Sequence, residues 1–343
     1  MSSFIKKSNL ILIIISFFLL VFLSSFIIIK NKASSPLIES KYSNEEYYMI
    51  TFLSGIEYWK NCYSGFENAS KAFGVKTIYT GSPEYDVNQE ITILDQIIAK
   101  NPSGIAISCI NPDAFETSIK KAINSGIPVV TFDADSPNSG RYSFLATNNR
   151  YAGEKGAKVL SELLGENGGN IVILTLPIQL NHEERTKGFV NAVKNKYTNL
   201  KVVKISNGRH DQTEAAKELS GILQSNNNIK GVFCTDSTSG VGAATAVREL
   251  NKIEKIKIVS FDTDNGTLDY IKSNVISATI AQGTYSMGYK SMNFLFKLNH
   301  DYIKKGIEPD DSVIPPFVDT GVDIVTKENV DNYYKYDLGI PKK

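Results

Sequence analysis

Asp133, Asp236 and Asp262 each follow a short apolar run, Val129 to Phe132, Val232 to Cys234 and Ile258 to Phe261. An ionised carboxylate only accepts hydrogen bonds and has room for several donors, so three at equivalent places suit a ligand rich in neutral hydroxyls. Any one of them could equally cap the helix after it; the recurrence points to a shared site. Gln282 closes another apolar run, Ile276 to Ala281, and Gly283 follows directly, where the chain could bend or change lobes. Asn181 and Arg185 lie four apart at the start of a helical pattern, which puts them on one helix face. Arg185 is then either a ligand donor or a solvated surface charge. Tyr58 and Trp59 open the first long helical pattern, and their rings can pack on the C–H face of a sugar or serve only as core. His210 sits in a corresponding loop further on, just before Asp211 and another helix.

Other chemistries find little support. His182-Glu183 is half a zinc motif without a second histidine at the required spacing, so no metal site is expected. Gly240-Val241-Gly242-Ala243-Ala244-Thr245 resembles a dinucleotide fingerprint, but its sixth position is Thr, and close helix-on-sheet packing explains the small residues better. The three cysteines, Cys62, Cys109 and Cys234, have neither zinc nor disulfide spacing, and Cys109 and Cys234, which end apolar runs, read as small buried hydrophobes. An enzyme using the strand-end acids for proton transfer would need a further motif, and none occurs. No cofactor is expected.

These residues need elements to hold them. From Tyr47 onward, short β-branched runs alternate with amphipathic stretches, an order that implies parallel sheets with right-handed crossovers and helices on both faces. Open sheets of this kind bind ligands beyond the carboxyl ends of their strands, where the three aspartates and Gln282 stand. The alternation breaks once, where Pro128 to Phe132 and Tyr142 to Ala146 follow each other with only a turn-rich segment between. A crossing between lobes is expected there, near Asn148. The predicted architecture is α/β, with two doubly wound parallel-sheet lobes joined by a multi-crossing hinge. Residues 47–148 with 283–316 make the first lobe, and residues 149–282 with 317–343 the second.

The chain has 343 residues, 42% hydrophobic and 21% charged, with a net charge of +1. That length exceeds one ordinary domain, and the balanced charge argues against a nucleic-acid partner. After a short amino terminus (1–9, expected in the cytoplasm), Leu10 to Ile29 form an apolar run long enough to span a bilayer. It reads as a transmembrane anchor or a cleaved signal, with 30–46 as a polar tether and the remainder outside the cell. A repressor would carry a helix-turn-helix at this place instead.

The assembled residues resemble the bacterial extracellular sugar-binding proteins of the ribose, galactose and xylose type. The likeness runs from Tyr47 to Val325. It rests on Val130-Thr131-Phe132-Asp133-Ala134-Asp135, Glu184-Arg185 with Gly188-Phe189, Val232-Phe233-Cys234-Thr235-Asp236, and Ser260-Phe261-Asp262 with Ala278-Thr279-Ile280-Ala281-Gln282. The resemblance implies a type I periplasmic binding protein fold. By it, Tyr58 and Trp59 match an aromatic pair that sandwiches the sugar ring, and His210 falls where many members place a second-lobe aromatic. Asp133, Asn181, Arg185, Asp236, Asp262 and Gln282 match hydroxyl-binding positions. Two positions depart from the pattern, because members often carry Asn at Asp236 and Phe or Trp at His210. The implied function is binding of a sugar with closure of the lobes and no catalysis; the acid-rich site with its aromatic pair suits a neutral monosaccharide, and a pentose such as xylose or ribose is the ligand expected. The implied partner is a membrane histidine kinase that reads the closed state, or alternatively an ABC permease that takes delivery of the sugar.

Overall fold

Why the alternating runs fold as they do is visible in a computed structural model, which describes residues 41–177, 179–303 and 314–334. The first lobe contains β1 (Glu46–Thr51), α1 (Tyr58–Phe73), β2 (Lys76–Gly81), α2 (Val87–Ile98), β3 (Gly104–Ile107), α3 (Glu116–Asn124), β4 (Val129–Phe132) and β5 (Phe144–Ala146). The second contains α4 (Asn149–Leu164), β6 (Gly169–Thr175), α5 (Leu180–Asn195), β7 (Leu200–Asn207), α6 (Gln212–Ser225), β8 (Ile229–Cys234), α7 (Ser237–Glu249), β9 (Lys257–Phe261), α8 (Asn265–Lys272) and β10 (Ala278–Gln282). Helix α9 (Thr284–Asn299) then packs on α1, and the tail adds β11 (Phe317–Asp319) and β12 (Val322–Val325).

The strand orders are β11-β5-β4-β3-β1-β2 and β12-β10-β9-β8-β6-β7. Both sheets wind alike: the chain steps outward from β1 to β2, or β6 to β7, then returns to the other side. The points of reversal, between β1 and β3 and between β6 and β8, are where such sheets leave a crevice. Pairing is parallel except where β12 runs antiparallel to β10. Side chains of β6 alternate between two cores, with Val172 and Leu174 in one and Ile171 and Ile173 in the other. That is the signature of a sheet covered by helices on both faces. In the first lobe Ile50, Leu94, Ile105, Phe115 and Val129 share one core. All three cysteines are free and buried.

Three crossings join the lobes: Thr147-Asn148, Gln282-Gly283 and Thr320-Gly321. They are stitched together, since Asp319 Oδ1 accepts from Asn148 N at 3.1 Å and Gly321 N at 2.9 Å, and Gly283 N donates to Gly321 O at 3.2 Å. Gly283 has φ −76°, open to any residue, but a Cβ there would run into Thr320 O. Close approach of the crossing chains, not backbone freedom, requires glycine.

The expected lobe boundary at 317 needs correcting. Phe317–Asp319 pairs with β5 of the first sheet, and only β12 joins the second. Phe317 and Val318 continue the edge already formed by Phe144 and Leu145, so the chain crosses at Thr320 instead. Residues 335–343, assigned to the second lobe from sequence, lie outside the described residues, as does the apolar run 10–29. Among the described residues no helix is long and apolar enough to cross a membrane.

Candidate functional site

All nine residues singled out from sequence line one cavity of about 210 Å³ between the carboxyl ends of the two sheets. Tyr58, Trp59 and Asp133 come from the first lobe, Asn181, Arg185, His210, Asp236 and Asp262 from the second, and Gln282 from a crossing.

Asp133 and Asp262 occupy the same place in their sheets, each the first residue after its strand. Both backbones are left-handed, with φ of 60° and 68°. Few non-glycine residues accept this conformation; aspartate is among the more tolerant, and such strain collects at functional sites. Neither caps a helix, since Asp264 caps α8 instead. Asp133 Oδ1 accepts from the Tyr58 hydroxyl at 2.6 Å, and Asp262 Oδ1 from Gln282 Nε2 at 2.8 Å. Asp236 serves both alternatives: it caps α7 by accepting from Ser239 N and Ser239 Oγ, each at 2.8 Å, and it lines the cavity.

Arg185 is 2% exposed, which rules out the solvated surface charge. Its Nε donates to Asn149 Oδ1 at 2.8 Å, Nη1 to Thr235 O at 2.7 Å and Nη2 to Gln282 Oε1 at 2.8 Å, and the guanidinium lies 4.3 Å over the Phe261 ring. Helix α5 holds it there because α4 packs directly against α5. A Cβ on Gly153 would strike Arg185 O, and one on Gly188 would strike Arg150 O. Gln282 Oε1 also accepts from Thr147 Oγ1 at 2.8 Å, so one amide ties two crossings to Arg185 and Asp262.

The aromatic pair departs from expectation. The Tyr58 and Trp59 rings meet edge to face, 4.8 Å apart at 75°, so the two cannot sandwich one sugar ring between them. Trp59 Nε1 donates to Phe52 O at 2.8 Å, and its ring packs edge-on against Phe52 and Phe132. Trp59 is a wall of the cavity anchored in the first-lobe core, while Tyr58 positions Asp133. Phe52 and Gln179, passed over in the sequence, and His182, weighed there only as half a zinc motif, line the same cavity. His182 Nδ1 lies 2.9 Å from Thr235 Oγ1, and its adjacency to Asn181 on α5 was the available signal. The glycines of the apparent fingerprint do pack tightly, with a Cβ on Gly240 meeting Ser260 Oγ.

Burial dominates the electrostatics. It pushes Asp262 up to about 7, against the pull of Arg185 and of the Gln282 hydrogen bond. Asp133 is also raised by burial, opposed chiefly by the Tyr58 hydroxyl and Arg185. His182 is held well below the usual imidazole range by burial and by Arg185, and His210 is lowered by burial despite Asp236 and Asp133. Both shifts favour the neutral imidazole, leaving Arg185 beside three acids, of which Asp133 and Asp262 are drawn towards their protonated forms by burial. A pocket with this balance offers acceptors to the hydroxyls of a neutral ligand.

A family model described as a periplasmic binding protein domain matches residues 47–300. The sugar-binding protein of a sugar ABC transporter from Bacillus halodurans is 45% identical, its match covering 84% of this chain and 100% of that one with a TM-score of 0.81. AraP, an arabinose-binding protein from Geobacillus stearothermophilus, is also 45% identical, with 84% and 99% covered and a TM-score of 0.77. A chain of the XylFII–LytSN complex is 28% identical, with 83% and 98% covered and a TM-score of 0.74. The fold, the site and these likenesses agree, and the chain belongs to the periplasmic binding protein domain family as a sugar-binding protein and not an enzyme.

Proposed function

We propose that the protein binds a neutral pentose in the cavity between its lobes, outside the cell and tethered to the membrane by Leu10 to Ile29. The nine site residues are proposed to bind it: Asp133, Asp236 and Asp262 accept its hydroxyls, Asn181, Arg185, His210 and Gln282 hydrogen-bond or orient those acceptors, and Tyr58 and Trp59 close one wall. The observation that carries this reading is the convergence of all nine on one cavity. Arabinose stands ahead of the xylose or ribose expected from sequence alone, because a relative 45% identical is an arabinose-binding protein. A ligand that touches both lobes stabilises the closed arrangement over the open one, by as much as its affinities for the two differ.

The output we infer is signalling to a membrane histidine kinase. The observation that favours it is a relative that forms a complex with the protein LytSN. Delivery to an ABC permease is the second reading, favoured by the relative from a sugar ABC transporter. Thermal unfolding of the full chain in detergent, with arabinose, xylose, ribose and a hexose panel, tests the binding claim, because a ligand specific to the folded state raises the melting temperature. A shift with a pentose supports it, and no shift with any sugar defeats it. Neighbouring genes for a kinase and response regulator support the sensor; a permease and ATPase support delivery.

A further inference from the structure

Gln179 stands directly before α5, at φ −81° and ψ 119°, yet its side chain makes no capping bond to the helix. It is 2% exposed, it lines the cavity, and neither Nε2 nor Oε1 has a hydrogen-bond partner among the described residues. Burial pushes the nearby Tyr85 hydroxyl up to about 12, and Gln179 lies close enough to offset part of that rise, but the approach falls outside hydrogen-bond geometry.

His210 belongs to the same end of the cavity. Its ring centroid lies 5.4 Å from that of Tyr85, and its Nε2 is likewise buried and unpaired. The loop that delivers it is strained, with Arg209 and His210 both left-handed at φ 59° and 53°. A Cβ on Gly208 would collide with the Ser239 side chain, so the loop is pressed against α7. Strain of this kind persists where a side chain must be presented at a fixed place.

A buried amide with an empty donor and an empty acceptor is destabilising until a group that is itself both fills it. A hydroxyl is such a group; a carboxylate or an ammonium satisfies only one half. We propose that Gln179, with His210, is a specificity-determining subsite that reads one ligand hydroxyl, apart from the network of Asp133, Arg185, Asp262 and Gln282. This rests on the sugar-binding reading above and names the residue that selects within it.

Gln179→Met tests it, since Met keeps the length and removes both polar atoms. The full chain in detergent is titrated calorimetrically with L-arabinose, D-xylose and D-ribose, and then with the monodeoxy analogues of whichever binds tightest. The free variant is expected to melt higher than the wild type, because an unpaired buried amide is gone, while its affinity for the parent sugar falls about tenfold or more. One deoxy analogue is expected to bind the wild type about tenfold more weakly than the parent, yet bind the variant as well as the parent does. A purely structural role would not produce that match. Equal parent affinity in wild type and variant, or the same loss for every analogue in both proteins, overturns the subsite alone. Failure of the wild type to bind any of the three sugars overturns the pentose reading and the subsite with it. Should the Met variant not fold, Gln179→Glu keeps the shape, replaces the donor with an acceptor, and is expected to lose affinity at the same hydroxyl; unchanged affinity there overturns the subsite.

Discussion

Lowering the pH through neutrality should weaken sugar binding, and Asp262 is the reason. Burial holds its carboxyl up to about 7, so its charge changes where most carboxylates no longer titrate. Its Oδ1 already accepts from Gln282, which leaves the ionised form able to accept a ligand hydroxyl as well. Protonation removes part of that capacity and loosens the tie to Gln282. If only the carboxylate form is competent, about half the molecules are ready at pH 7 and about one in ten at pH 6, so the apparent affinity falls about fivefold over that unit and about tenfold per unit below it. The sign for the ligand-free protein is opposite. An acid whose folded pKa lies above its unfolded value is destabilising once it ionises, so Asp262 takes stability away between about pH 4 and 7. Sugar binding thus recovers at neutral pH what the empty site loses. Calorimetric titration with arabinose from pH 5.5 to 8.5, on the wild type and Asp262→Asn, checks this. The wild type should bind more weakly at low pH, and the variant should bind weakly with little pH dependence. A flat wild-type profile, or one that strengthens on acidification, would refute the reasoning.

Two further perturbations follow from buried polar groups. Arg185→Ala deprives Thr235 O, Asn149 Oδ1 and Gln282 Oε1 of a charged donor, each bond worth roughly 1.5–3 kcal/mol. Affinity should drop about ten- to hundredfold and the melting temperature should fall, both read by titration and thermal unfolding; unchanged affinity removes Arg185 from the site. Glu90 is fully buried in the first lobe, with Oε2 accepting from Ile110 N at 3.3 Å and Oε1 unpaired. Burial raises it to about 8, so the contribution of Glu90 to stability should decline between about pH 4.5 and 8 by about 1.4 kcal/mol per unit, on top of that of Asp262. Glu90→Gln should escape that decline, and denaturant midpoints that run parallel for both proteins across this range would count against it.

Much of the fold was legible because buried parallel strands read as continuous β-branched runs and the helices between them as amphipathic stretches. Asp133, Asp236 and Asp262 stood out through their position after such runs, which sequence shows directly. Conformation did not show. Nothing in Phe132-Asp133 or Phe261-Asp262 announces a left-handed backbone, and nothing in Tyr58-Trp59 announces rings set edge to face, an arrangement that goes with the packing of Trp59 against Phe52 and Phe132. Strand β11 was missed because three half-exposed residues after Pro315-Pro316 carry no period. Gln179 was hidden by its place before a helix, where a polar residue is ordinarily read as a cap. Gly283 was singled out as a bend or a change of lobes; the chain does change lobes there, and glycine is required by the approach of Thr320.

The protein's single tryptophan, Trp59, forms part of the cavity wall, so its fluorescence reports on the site itself. Titrating the full chain with arabinose, xylose and ribose while following that emission is the most direct test of a monosaccharide site between the lobes. A saturable change with at least one of these pentoses, abolished or shifted to higher concentration by Asp133→Ala, is the predicted result. Emission indifferent to all three sugars would contradict it.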